Sequence, residues 1–257
     1  MNKPTTKDVL NINLSPTFLS KVYSKGYDYA VGEKLGMFES PDNQGMNDGR
    51  LMHKIIASRI TGTELKDIAI SPYDNYRTKE AREWRDNQPD NVSIVSQESL
   101  DGLQVIVNRL LVHPQMLSFP TEEMLAEVTR ENRIKKHNVK GIIDFIARDE
   151  EQKIVVDWKF VSTTVFDGFE HKSRTMNYDL QAAVYDYLEQ PTHVYFGVIE
   201  NGAPYRIKFY WCDQSFLDSG AEKFDKAFKL FDTEHGRVPD FNIREVGTLM
   251  SWQNYNG

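Results

Sequence analysis

Two carboxylates and a lysine set in an apolar stretch carry the most chemical information in this chain. In GIIDFIARDEEQKIVVDWKF, residues 141–160, Asp144 precedes an acidic turn and Asp157 stands two residues before Lys159. Side chains alternate along a strand, so Asp157 and Lys159 share one face while Val156 and Trp158 take the other. By the same rule Asp144 points away from Ile143 and Phe145. If the two segments pair as strands, both carboxylates converge on one spot, where two anions repel unless a cation or a proton lies between them. A hard divalent ion is the natural occupant. Mg²⁺ takes oxygen ligands and is often held by one or two carboxylates plus substrate phosphate, and Mn²⁺ suits the same donors. Such an ion would polarise a phosphodiester and help deprotonate water, while Lys159 would hold that water or offset charge growing on the phosphoryl oxygens.

Taken alone this pattern is weak, because an Asp and a Lys on a solvent-facing edge strand look the same. Three features add weight. IVVDWKFV is otherwise apolar, and charges in a strand that wants burial need partners. Gln181 and Tyr185 lie one helical turn apart in the segment that follows, so they share a face. His53 sits among Leu51, Met52, Ile55 and Ile56 on a predicted helix, where a lone histidine is more often a packed or surface residue than a ligand. Glu127, on the strand ahead of a basic cluster, is either a further acidic residue near the metal or a surface or sheet-pairing residue; it is read as the latter and stays outside the metal set.

The elements that must position these groups alternate in type. Ser15-Pro16 opens a helix through Tyr23, with Ser15 as cap and Pro16 at the first helical position. Residues 36–49 are turn-rich and lead into a helix over residues 50–60. Residues 73–90 hold a charged helix whose Arg77, Lys79, Arg82 and Arg85 form either a basic stripe or a solvated face. Residues 97–112 carry Leu100, Leu103, Val107, Leu110 and Leu111 at helical spacing, and His113-Pro114 ends that helix. From Met124 the period becomes strand-like. Two strands meet across residues 149–152, a helix spans residues 179–188, and two further strands flank Asn201-Gly202, a strong hairpin signal. Residues 214–231 close with an apolar face built on Phe216, Phe224, Ala227, Phe228 and Phe231. The tail from His235, with Pro239, Trp252 and Tyr255, has no clear period and would wrap the domain or reach a neighbouring subunit. The order predicts an α/β fold, a mixed central sheet flanked by helices after a helical N-terminal lobe.

Composition narrows the function classes. A net charge of −7 argues against indiscriminate polyanion binding, although a local basic track could still face phosphates. Arg130, Arg133, Lys135, Lys136, Lys172 and Arg174 are the candidates for such a track. Cys212 is the only cysteine, which excludes an intramolecular disulfide, a cysteine-ligated zinc and a cysteine-held iron–sulfur cluster. No apolar run approaches the ~20 residues that span a bilayer, and the first residues lack a secretion signal, so the expected location is the cytoplasm.

Together GRLMHKI, GIID, DWK and NYDLQAAVY resemble the PD-(D/E)xK nuclease superfamily, its RecB-like branch, and within it the RecE-type (exonuclease VIII) phage and prophage exonucleases. The opening LSPTFLSK segment is similar to that family's first helix. The resemblance implies a restriction-endonuclease-like core and one nuclease domain: residues 1–120 as the lobe carrying His53, 121–234 as the catalytic core, 235–257 as a tail. It implies His53, Asp144 and Asp157 as metal ligands, Lys159 as catalytic, and Gln181 and Tyr185 as supporting residues. It further implies Mg²⁺-dependent, processive 5′ to 3′ digestion of linear double-stranded DNA from its ends. A 3′ single strand would be left for an annealing recombinase, in a bacterial host and by a ring-shaped trimer or tetramer. Asp157 stands where many relatives have Glu, with equal charge and shorter reach. Two other readings stay open: a structure-specific endonuclease, and a non-cleaving DNA-binding accessory protein.

Overall fold

The computed structural model describes residues 4–38, 44–89 and 92–239. In chain order the elements are α1 (Thr6–Leu10), α2 (Pro16–Lys25), α3 (Tyr27–Lys34), α4 (Gln44–Thr61), β1 (Ile68–Ile70), α5 (Lys79–Asp86), β2 (Ser93–Val95), α6 (Gln97–Leu111) and α7 (Pro114–Leu117). There follow β3 (Glu123–Ile134), β4 (His137–Arg148), β5 (Lys153–Val161), α8 (Thr163–Asp167), α9 (Phe169–Thr175), α10 (Tyr178–Glu189), β6 (His193–Glu200), β7 (Ile207–Trp211) and α11 (Gln214–Glu234). Ser15 caps α2 by accepting from the Phe18 N–H, with Pro16 at its first turn, as the sequence predicts. His113 ends α6 and then caps α7, its ring accepting from the Gln115 N–H. The charged segment is helical only over Lys79–Asp86. Residues 240–257, with Trp252 and Tyr255 of the predicted tail, lie outside the described residues.

The main sheet runs β3-β4-β5-β6-β7. Of its neighbouring strands only β5 and β6 are parallel, joined by the crossover through α8, α9 and α10. The β4–β5 hairpin turns at residues 149–152, where Asp149 accepts from the backbone of Glu151 and Gln152. Strands β6 and β7 form the second expected hairpin, but its connection runs over residues 201–206 rather than closing at Asn201-Gly202. The longer turn is held by Glu200, whose carboxylate accepts from the Arg206 backbone N–H and guanidinium.

Both faces of the sheet are covered, which is why β5 reads as an almost unbroken apolar run. On one face Phe145, Ile154, Val156 and Trp158 pack with α4 and α6. On the other Ile143, Ile146, Val155 and Phe196 pack with Phe169 of α9 and Ala182 and Tyr185 of α10. The outer side of α10, through Leu180 and Val184, meets α2, α3 and α11 in a third cluster. The first 120 residues therefore feed two different cores, α1 to α3 outside α10 and α4, α6 and α7 across the opposite face of the sheet.

Trp158 fills its core only because its β6 partner is Gly197: a Cβ there would lie 2.2 Å from the indole ring. Gly197→Ala must displace a buried indole, and overpacking of this kind costs roughly 1–3 kcal/mol. A fall of that size in denaturant unfolding free energy is expected; an unchanged midpoint would show that the indole has room.

Candidate active site

The site forms where the sheet splits. Strands β4 and β5 pair from Arg148–Lys153 up to Phe145–Val156 and no further. Beyond that point β4 stays with β3 while β5 stays with β6. Asp144 and Asp157 are the first residues past the split. The Asp144 carboxylate takes over where the ladder stops, its Oδ2 accepting from the Trp158 N–H at 2.8 Å. Strict alternation would have put Ile143 and Phe145 on one face, yet they lie in opposite cores. The sequence expectation for Asp144 thus needs correction, because the side-chain pattern resets at this residue. A matching reset occurs in β3: Ala126 pairs with Phe145 and Val128 with Ile143, while Glu127 between them makes no ladder pair and has a left-handed φ of 53°.

Helix α4 reaches the split from one face. Its Met52, Ile55 and Ile56 are buried in the core, which leaves His53 at the cleft. His53 Nδ1 lies 3.2 Å from Asp144 Oδ1 and 3.9 Å from Glu127 Oε1. Helix α10 arrives from the other face. The Gln181 amide donates to Asp157 Oδ1 at 2.7 Å and to the Tyr185 hydroxyl at 2.8 Å, while its oxygen accepts from Lys159 Nζ at 2.7 Å. Tyr185 donates onward to the Ile142 carbonyl at 2.9 Å, and Lys159 is ion-paired with Asp157 Oδ2 at 2.5 Å. All six predicted residues, His53, Asp144, Asp157, Lys159, Gln181 and Tyr185, meet in one cleft of about 1060 Å³.

Sequence reasoning missed several neighbours. The Lys159 ammonium sits 4.5 Å from the centre of the Tyr178 ring, a cation–π contact. Tyr178 is three residues before Gln181, the helical spacing that could have revealed it. Glu127 belongs at the site rather than to surface or pairing roles alone: one donor atom from each of His53, Glu127 and Asp144 lies within 4.8 Å of the others. Arg50, Lys54 and Lys66 line the same cleft. Arg50 and Lys54 stand three residues before and one after His53 on α4, so the histidine's own helix held that signal.

The six candidates for a phosphate track are not among the cleft residues. Arg130 is paired with Glu189 at 2.5 Å, and Lys135 and Lys136 approach Asp232 at 2.9 and 3.5 Å. Arg133 is exposed near the β3–β4 turn. Lys172 donates to the Thr164 carbonyl, and Arg174 lies over the Phe216 ring.

Charge crowding sets the electrostatics. Burial lowers the affinity of His53 for a proton, but the hydrogen bond and charge of Asp144, with Asp157 behind it, overcome this and push its pKa from 6.5 up to about 9. Burial raises Glu127, and the Asp144 charge raises it further. Asp157 is pushed up by burial, against the pull of Lys159. Burial opposes the charge on Lys159, yet Asp157 holds the ammonium above its ordinary value. An imidazole nitrogen beside two carboxylates suits a divalent cation. Ligands to one such ion lie no more than about 4.2 Å apart, and the 4.8 Å span needs only a small side-chain adjustment to meet this.

A mixed five-stranded sheet with helices on both faces and acidic residues at its split is a restriction-endonuclease-like fold. The model of the PD-(D/E)XK nuclease superfamily matches residues 13–213, and the chain belongs to that superfamily. Among solved structures, the protein named "Putative exonuclease" from Eubacterium rectale is similar at 12% identity, over 89% of this chain and 84% of that one, with a TM-score of 0.56. A phage related exonuclease from Haemophilus somnus 129PT is 14% identical over 86% of this chain and 94% of that one, with a TM-score of 0.38. No curated protein matches. Among the described residues no helix is long and apolar enough to cross a membrane.

His53 provides a direct test of this crowding. A group raised from 6.5 to about 9 contributes stability that is complete below pH 6.5 and lost as pH rises through about 9. His53→Gln should therefore destabilise the metal-free protein more below pH 6.5 than above pH 9. NMR of the imidazole should show its midpoint near 9; a midpoint at 6.5 would contradict the geometry.

Proposed function

We propose that this chain is a divalent-metal-dependent DNA exonuclease that resects linear duplex DNA from its ends, 5′ to 3′, leaving 3′ single strands for an annealing recombinase. The observation that carries the reading is the convergence of His53 and Asp144 with the Asp157–Lys159–Gln181–Tyr185 chain at one split in the sheet. His53, Asp144 and Asp157 would hold Mg²⁺, or Mn²⁺ in its place. Bound there, the ion would supply Lewis acidity toward a phosphoryl oxygen and a bound water more acidic than bulk water.

The protein's own groups do the rest. Lys159 is kept charged by Asp157 and aimed by the Gln181 oxygen, so it can donate to the attacking water or to a phosphoryl oxygen as negative charge builds there. Gln181 grips Asp157 and Lys159 with one amide, which fixes their separation, and Tyr185 anchors Gln181 to the β4 backbone. Arg50, Lys54 and Lys66 would offset the charge of phosphates entering the cleft. The exonuclease mode, the RecE-type kinship, the polarity, the bacterial cytoplasmic setting and a ring-shaped trimer or tetramer follow the resemblance in the sequence motifs. The name of the Eubacterium rectale protein agrees with the first of these.

Lys159→Ala should lose about 10²-fold or more in cleavage of linear duplex DNA, the usual cost of removing a donor that acts in the transition state. Circular dichroism would verify folding, and undiminished cleavage would refute the assignment. DNA labelled separately at 5′ and 3′ ends should release 5′ label first, and closed circles should persist; equal digestion of circles would favour an endonuclease.

The two basic sets separate by salt dependence. Arg50→Ala with Lys66→Ala should lower the slope of log affinity against log salt by about 0.9 for each phosphate that is no longer neutralised. If instead Lys172→Ala with Arg174→Ala lowers it, the phosphate track lies outside the cleft.

A further inference from the structure

Glu127 occupies a backbone conformation that its residue type avoids, at the one position where β3 and β4 lose their pairing together. In each strand a pair of residues three apart, Leu125 and Val128 in β3 and Ile143 and Ile146 in β4, packs into the same core. Regular alternation would place the members of each pair on opposite faces. The two strands therefore reset side by side, at Glu127 and at Asp144 across from it. The result turns both carboxylates toward His53, with Glu127 Oε1 3.9 Å and Asp144 Oδ1 3.2 Å from the same imidazole nitrogen.

From this twin reset we infer that Glu127 is a further ligand of the divalent metal, added to the proposed set of His53, Asp144 and Asp157, and not a bystander on the cleft wall. The inference deepens the proposed nuclease reading and rests on it. Its chemistry follows from how the carboxylates are already engaged. The oxygens of Asp157 face Lys159 and Gln181, and one oxygen of Asp144 is committed to the Trp158 N–H. The Glu127 side chain is 43% exposed and opens into the cleft, so its carboxylate can reach an ion without giving up a buried partner. An acidic ligand there also adds a negative charge beside the cation, which strengthens binding of a hard ion.

Calorimetric titration of the whole protein with Mn²⁺, at one pH and without DNA, tests the inference apart from catalysis. Glu127→Gln should bind Mn²⁺ about 10-fold or more weakly than wild type, in line with the loss seen when groups supporting a metal are removed. The rise in melting temperature on adding Mn²⁺ should shrink in step. Glu131→Gln, an exposed residue farther along β3, should bind as wild type does. Melting of the metal-free variant checks the fold, and Glu127→Asn, whose residue type accepts a left-handed backbone, replaces it if Gln disturbs the strand. Wild-type affinity in a folded Glu127 variant would overturn the inference while leaving the nuclease reading intact. A wild-type protein that takes up no Mn²⁺ would overturn both.

Discussion

The hydrogen bond from the Trp158 N–H to Asp144 Oδ2 marks the constraint on which the structure depends. Where β4 and β5 part, each strand would leave unpaired backbone groups in the interior of a sheet covered on both faces, and such groups are costly unless satisfied. A carboxylate meets one of those needs and is fixed by it. Its other oxygen then faces the gap, and everything functional gathers around that gap. The split also explains why helices on opposite faces of the sheet can serve one site: α4 brings His53 through the opening and α10 brings Gln181 and Tyr185 from behind. The close approach of α10 depends on small residues. A Cβ at Gly141 would meet Leu188 and Tyr185 at 3.1 and 3.2 Å, and one at Gly220 would meet the Asp179 carbonyl at 2.0 Å.

Charge balance is the second layer. Glu127, Asp144 and Asp157 face one lysine and one histidine across a small volume. Asp157 is buried and its partner Lys159 is nearly so, an arrangement whose desolvation cost rivals its Coulombic gain and which is weak as a source of stability. Its retention is better understood through function, since a held ammonium next to an anionic cluster is what phosphoryl chemistry requires. The raised pKa of His53 reports the same excess of negative potential. In the metal-free protein a proton on His53 balances part of that charge, and a divalent cation would take over this role.

Much of this site was legible in the sequence. Asp157 and Lys159 share a face because a two-residue period survives along β5, and Gln181 with Tyr185 share one because α10 is regular. His53 could be placed on a helix from its apolar neighbours, but its meeting with Asp144 was supplied only by the family resemblance. What stayed hidden follows from local departures from regularity. Glu127 reads as a surface or sheet-pairing residue in an ordinary strand, and a left-handed residue within β3 has no pattern to announce it. The basic cluster at residues 130–140 drew attention by density, yet Arg130, Lys135 and Lys136 are engaged with Glu189 and Asp232. The cleft-lining Arg50 and Lys54 flank His53, and only the packing of α4 reveals which way that face points.

The claim that the split builds a divalent-metal site is tested most directly by anomalous X-ray scattering from crystals grown with Mn²⁺. A single strong peak between His53 and Asp144, inside the cleft and within bonding distance of both, is the result this account predicts. A peak elsewhere on the protein, with the split left empty at saturating Mn²⁺, would contradict it.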